Sequence, residues 1–247
     1  MTFLGVDALR ALKQSYADCD RCELLCESRD QVVFGSGATN ARIMVIAEAP
    51  GQTENDTGIP LVGDAGRLFM SILSHAWPEN DELNQLKNER DDDRYFDGLR
   101  DYFDDYIFWT NLVCCWPGEG NRDPSQKEIK ACADRLYQTI YAVDPDIIIA
   151  LGKLAASKLI GKTIAITEKA GQLFDIQVPS PVSGRPVRYA MFALLHPSFL
   201  LRKADQDLMK RKKGFTYETV EDLKYLFSLL GMHAKQTGQQ FPEEFEE

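Results

Sequence analysis

The chain lacks any apolar run approaching the ~20 residues that span a bilayer, which excludes a helical membrane anchor within it. Its first residues, Met1 to Gln14, carry an acid and no basic stretch followed by a cleavage site, so no signal peptide is expected there. Phosphate-binding P-loop, Gly-x-Ser-x-Gly and His-Glu-x-x-His patterns are all missing, leaving kinase, α/β-hydrolase and zincin readings without support. Histidine is scarce, with three in 247 residues, so any of them at a strand end is conspicuous. Positive charge is also in deficit, at a net −10. That deficit is local. Glu79 to Asp105 holds a net −7 and Glu243 to Glu247 a further −4, leaving the remainder close to neutral. Basic residues gather at Arg202–Lys203 and Lys210 to Lys213, which leaves DNA open as a partner.

What is present begins with cysteine. Cys19 and Cys22 form a Cys-x-x-Cys, and Cys115 and Cys132 follow 17 positions apart beyond the acidic stretch. With no export signal, six cysteines point to a reducing cytoplasm and to metal binding instead of disulfides. Four thiolates suit an iron–sulfur cluster or a tetrahedral zinc. The wide second spacing is a poor zinc knuckle, so [4Fe–4S] is preferred, zinc comes second, and unrelated buried thiols are the bland alternative. Cys26 and Cys114 are left over.

Periodicity predicts alternating helices and strands within one domain over residues 1–231, with an acidic tail over 232–247. Helices are expected at Phe3 to Tyr16, Gly66 to Trp77, Lys153 to Ile160 and Thr216 to Leu230, with another opened by the Ser125/Glu128 capping box. Apolar runs predict strands at Arg42 to Ala47, Tyr106 to Thr110 and Asp146 to Leu151, then around Ile164 to Ile176 and Val187 to Leu195. The acidic insert, 79–105, reads as partly helical and surface-lying. The pattern implies an α/β fold, a three-layer α/β/α stack around a mainly parallel sheet.

In such sheets ligands bind beyond the carboxyl ends of the strands. That rule selects Glu48 to Gly51, Asn111, Gly152 and His196. Singly, each has an ordinary structural explanation: a turn-capping acid, a loop-satisfying Asn, a packed His. Together they suit cleavage of a bond whose leaving group becomes anionic. A carboxylate positions water or stabilises an oxocarbenium-like sugar, an Asn reads a base edge, and a His donates to the departing base.

These residues also carry a resemblance. Cys19-x-x-Cys22, Val32-Val33-Phe34-Gly35-x-Gly37, Glu48-Ala49-Pro50-Gly51, Thr57-Gly58-x-Pro60-x-Val62-Gly63-x-Ala65-Gly66, Thr110-Asn111-x-Val113-x-Cys115, Asn121-Arg122-x-Pro124 and His196-Pro197-x-x-Leu200-Leu201-Arg202 occur in the order found in family 4 uracil-DNA glycosylases, the iron–sulfur branch of that superfamily. The resemblance implies a glycosylase fold with one structural [4Fe–4S] cluster on Cys19, Cys22, Cys115 and Cys132. It implies a monofunctional, monomeric enzyme that flips a base out of DNA, most readily uracil, and leaves an abasic site. It places Glu48 and Glu54 in the water-activating loop, and Ala49, Pro50, Gly51, Leu61 and Asn111 around the base. His196 falls at the leaving group, and Ser198, Leu200, Leu201 and Arg202 on the DNA. The sequence departs from the family where Leu61 stands for a stacking Phe, in the length of the insert, and at Cys114. An apolar but non-aromatic wall leaves room for a bulkier modified base, so a relative excising such a base is a further reading; a silent iron–sulfur DNA-binding module is another.

Overall fold

Three strands consist of residues buried without exception: β2 (Ile43–Ala47), β3 (Ile107–Asn111) and β4 (Ile147–Leu151). A strand covered on both faces needs no polar alternation, which is why these segments read as continuous apolar runs. In the computed structural model, which describes residues 5–88, 93–203 and 214–232, they form the centre of a six-stranded sheet ordered β1-β3-β2-β4-β6-β5. The inner four strands are parallel, β6 being Pro186–Leu194. Two antiparallel strands close the edges, β1 (Ser36–Gly37) and β5 (Gln172–Pro179). Neither edge was anticipated in that form. The expected strand at Ile164 to Ile176 is divided into the short helix α9 (Ile166–Lys169) and β5, which runs on to Pro179.

Side chains alternate across the sheet and build two cores. Met44 and Ile46 face one side with Phe108, Ile148 and Met191, beneath helices α1 (Val6–Ser15), α2 (Glu23–Ser28), α7 (Gln126–Val143) and α8 (Gly152–Ile160). Ile43, Val45 and Ala47 face the other side with Trp109, Ile149 and Phe192. That second core is roofed by α4 (Asp64–Ala76), the pair α5 (Asp81–Asn88) and α6 (Asp93–Asp104), and α11 (Phe215–Leu229). The result is the three-layer stack expected from the sequence. Two short helices, α3 (Gln52–Thr57) and α10 (Pro197–Arg202), begin close to strand ends.

The acidic insert corrects one expectation. It is helical, but it is not confined to the surface. Leu83, Leu99 and Phe103 are completely buried, and the Trp77 ring packs edge-on against both Phe103 and Phe227 at 5.2 and 4.9 Å. Asp81, Glu82, Asp97 and Asp101 are exposed on helices whose inner face completes the second core, a division that net charge does not reveal. Lys210 to Lys213 and the tail from residue 233 lie outside the described residues, as does the start of the predicted first helix. Among the described residues no helix is long and apolar enough to cross a membrane.

Candidate active site

Because β3, β2, β4 and β6 are parallel, their carboxyl ends share one edge of the sheet. Ala47 pairs with Asn111 in register, so Glu48 and Asn111 emerge side by side. The loop after β3 is sewn to β2: Leu112 N–H donates to the Ala47 carbonyl at 2.9 Å and Val113 N–H to that of Glu48 at 3.2 Å. β4 ends at Leu151, just before Gly152, and β6 is followed two residues on by His196. The four strand ends singled out in the sequence therefore lie along one edge.

Asn111 is buried, with 1% of its surface exposed, and its side-chain amide nitrogen has no hydrogen-bond partner. Buried donors are nearly always satisfied, so an orphan at a strand end awaits a ligand. Its backbone is fixed from below. Arg135 of α7, equally buried, donates to the carbonyls of Asn111 and Leu112 at 2.5 and 2.9 Å and to Thr110 Oγ1 at 3.0 Å. Arg135 was not among the expected site residues. It lies three positions after Cys132, on the same face of one helix, and that spacing was its only signal.

The two acids of the neighbouring loop have different surroundings. Glu54 is saturated: Oε2 accepts from Gly51 N–H at 2.9 Å, and Oε1 accepts from Val62 and Gly63 N–H at 3.0 and 2.8 Å. It clamps the loop after β2 to the turn that carries Leu61. Glu48 is half-buried, and its carboxyl is pushed up to about 7, first by burial and then by the Asp123 carboxylate beside it. A carboxylate freed of backbone duty and near-neutral in pKa suits proton transfer to or from water.

His196 caps α10, its Nδ1 accepting from Ser198 N–H at 3.2 Å. Burial, seconded by the positive charge of Arg202, lowers its pKa to about 4. The ring is therefore neutral at physiological pH. With Nδ1 occupied as an acceptor, the proton sits on Nε2, which makes Nε2 a donor. Gly152 makes room for this ring: at its φ of +90° a Cβ would come within 2.9 Å of the His196 Cβ. Of the expected DNA-contacting group, Ser198 is partly exposed and Leu201 and Arg202 are exposed. Leu200 instead faces the core at 1% exposure and anchors the helix.

Leu61 is buried and adopts a φ of +57°. Ala49 and Gly51 are partly exposed and Pro50 is buried, all in the link from β2 to α3.

The four expected ligand cysteines occupy one region below this edge. Burial, followed by the nearby Cys132, Cys115 and Cys19, raises the Cys22 thiol to about 11. Arg29 donates to Cys115 Sγ at 3.0 Å and to the Cys19 carbonyl at 2.5 Å, tying the two halves of the set together. Cys114 is turned away, with its Sγ against the Phe34 carbonyl at 3.6 Å, and burial raises it to about 12. Among the described residues no three His, Cys, Asp or Glu side chains are gathered tightly enough for a single metal ion. An all-thiol donor set with a guanidinium beside it has the chemistry to hold an anionic iron–sulfur cluster.

A family model described as the uracil DNA glycosylase superfamily matches residues 34–224. The chain belongs to that superfamily. Several relatives carry the name type-4 uracil-DNA glycosylase. That of Saccharolobus solfataricus is 33% identical over 90% of this chain and 93% of its own. That of Pyrobaculum aerophilum is 31% identical over 79% and 85%, and that of Thermotoga maritima 28% identical over 83% and 88%. The superfamily match spans every strand end described above, and it runs through the acidic insert.

Proposed function

We propose that this chain is a monofunctional DNA glycosylase that hydrolyses the bond between uracil and deoxyribose, leaving an abasic site. The observation that carries this reading is the buried, unpartnered amide of Asn111 beside Glu48, on an edge that also presents a neutral His196. Each group takes a role its surroundings favour. With the base flipped out of the stack, the Asn111 amide donates to a pyrimidine carbonyl and its oxygen accepts from the ring N–H. Discrimination of that kind is strong because a wrong edge leaves a buried polar group unpaired. Glu48, as carboxylate, orients the attacking water and balances positive charge growing on the sugar. The uracil departs as an anion, and His196 Nε2–H donates to it; a neutral donor gains most when charge develops, that is, in the transition state. Leu201 and Arg202, exposed at the end of α10, face the DNA.

Cys19, Cys22, Cys115 and Cys132 are proposed to hold a [4Fe–4S] cluster. Its part when bound is structural, cross-linking the segment before α2 to the loop after β3 and to α7. The same reading has the enzyme acting as a monomer in the cytoplasm.

The test is excision from a uracil-containing oligonucleotide followed by alkaline cleavage at abasic sites. Strand breaks should appear only after alkali. His196→Ala and Asn111→Ala should retain DNA binding and lose ~10²–10³ in single-turnover rate, the usual value of one transition-state donor. Absence of alkali-labile sites with the wild-type protein would refute the reading. Weakened binding at an unchanged rate would reassign His196 to holding DNA.

A further inference from the structure

The acidic insert reaches the turn that carries Leu61. That turn is held in a costly shape: Leu61 has φ +57°, a left-handed conformation that a bulky residue keeps only when its surroundings impose it. Three contacts impose it. Glu54 grips Val62 and Gly63 from one side. Gly66 lies so close beneath that a Cβ there would come within 2.0 Å of the Leu61 carbonyl oxygen. The third contact comes from the insert: Arg100 of α6 donates to the Pro60 carbonyl at 2.5 Å.

Arg100 is buried and uses its whole guanidinium. The second arm donates to Ser36 Oγ of β1 at 2.6 Å, Nε pairs with Asp104 at 2.7 Å, and the plane lies 4.9 Å over the ring of Trp109 in β3. Trp109 is two residues before Asn111 on the same strand. A single side chain thus fixes the Leu61 turn relative to the strand that presents the Asn111 amide. Its fork geometry is what allows this, since a lysine would supply one charge and no second arm.

We propose that Arg100 is a positioning residue for base selection, setting how far the Leu61 wall stands from the base read by Asn111. The inference rests on the glycosylase reading above. Without the Pro60 bond the turn relaxes from its left-handed shape, the wall retreats, and the site loses its grip on a small flat base more than on a larger one.

Arg100→Met keeps the buried stem and removes the Pro60 and Ser36 contacts; Arg100→Lys keeps the charge without the fork. Single-turnover rates would be measured on oligonucleotides bearing uracil or 5-hydroxymethyluracil, with amide hydrogen exchange across Ile59 to Gly63. Both variants should lose roughly 10- to 100-fold on uracil, the scale of a slightly misplaced pocket contact. The uracil preference over the larger base should narrow by about tenfold, and exchange should quicken at Ile59 to Gly63. Asp104→Asn, which leaves the loop contacts in place, should keep the preference. Equal losses on both bases, or unchanged exchange in the turn, would overturn the proposal. Should Arg100→Met fail to fold, Arg100→Lys and Ser36→Ala carry the same comparison. Wild-type protein inert on both bases would defeat the glycosylase reading, while the exchange measurement would still decide whether Arg100 holds the turn.

Discussion

Glu48 and His196 depart from their ordinary pKa values in opposite directions: the first shift confines the carboxylate the chemistry needs to higher pH, and the second keeps the ring neutral. Glu48 is raised to about 7, so it works as carboxylate only above that pH. His196 is lowered to about 4 and stays neutral throughout the working range. Excision should therefore climb as pH rises through about 7 and then level off, with no second limb from the histidine near its ordinary value. Asp123 supplies part of the Glu48 shift, so Asp123→Asn should move the climb to lower pH. Asp123 is exposed, and added salt should move it the same way. The check is a single-turnover pH profile at two ionic strengths; a midpoint that stays put or rises in the variant would remove Asp123 from the account. Stability carries the matching sign. A carboxyl with its folded pKa above its unfolded one favours the native state at low pH, and that contribution is lost as pH climbs to about 7.

Among the elements, α7 links the two sites, because it carries both Cys132 and Arg135. Its start is held by a capping box. Ser125 Oγ accepts from Glu128 N–H at 3.3 Å, and the Glu128 carboxylate accepts from Ser125 N–H at 2.7 Å and takes a two-pronged pair from Arg122 at 2.7 and 2.9 Å. Ser125→Ala should cost ~1 kcal/mol, the usual value of an N-cap, and Glu128→Gln more, since it also breaks the Arg122 pair. Glu128 is held down to about 2, with the Arg122 bond the largest cause. Its stabilisation is complete above the ordinary carboxylate range and lost as pH falls toward 2. Thermal melts of wild type and Glu128→Gln should converge in acid. A gap of constant size from neutral to acid pH would mean that Glu128 acts through shape and not charge. This capping box was legible in the sequence because all its partners lie within four residues. The central strands were legible because burial on both faces leaves an unbroken apolar run. Arg29, Arg100 and Arg135 were not. They hold backbone carbonyls, a hydroxyl or a thiol from 10 to 86 positions away, and such partnerships leave no local pattern.

At the scale of the molecule, the net charge of −10 gave a poor guide to shape, because acids such as Asp81, Glu82, Asp97 and Asp101 share their helices with core residues. The cysteine spacing was a better one, since it required the N-terminal segment to return to the middle of the chain. That return is held by modest means without metal: Gly5 N–H on the Ala142 carbonyl at 2.8 Å, Leu9 and Tyr16 in the first core, and Arg29 across to Cys115. If a cluster joins Cys19 and Cys22 to Cys115 and Cys132, its binding energy is folding energy for this half of the molecule. Purified protein should then be brown, with about four irons per chain. Cys115→Ser should lose iron and lower the melting temperature together. Cys114→Ser should keep its iron, because that side chain already donates to the Phe34 carbonyl and a hydroxyl can do the same. Arg29→Met should retain iron on purification but release it faster to a chelator, having lost the only bond that spans both pairs of thiols among the described contacts. Iron assays, visible absorption and melts of the three variants separate the roles. Colourless, fully active protein holding one zinc per chain would replace the cluster with a single ion, and equal iron loss from Cys114→Ser and Cys115→Ser would show that Cys114 is not the bystander its burial makes it.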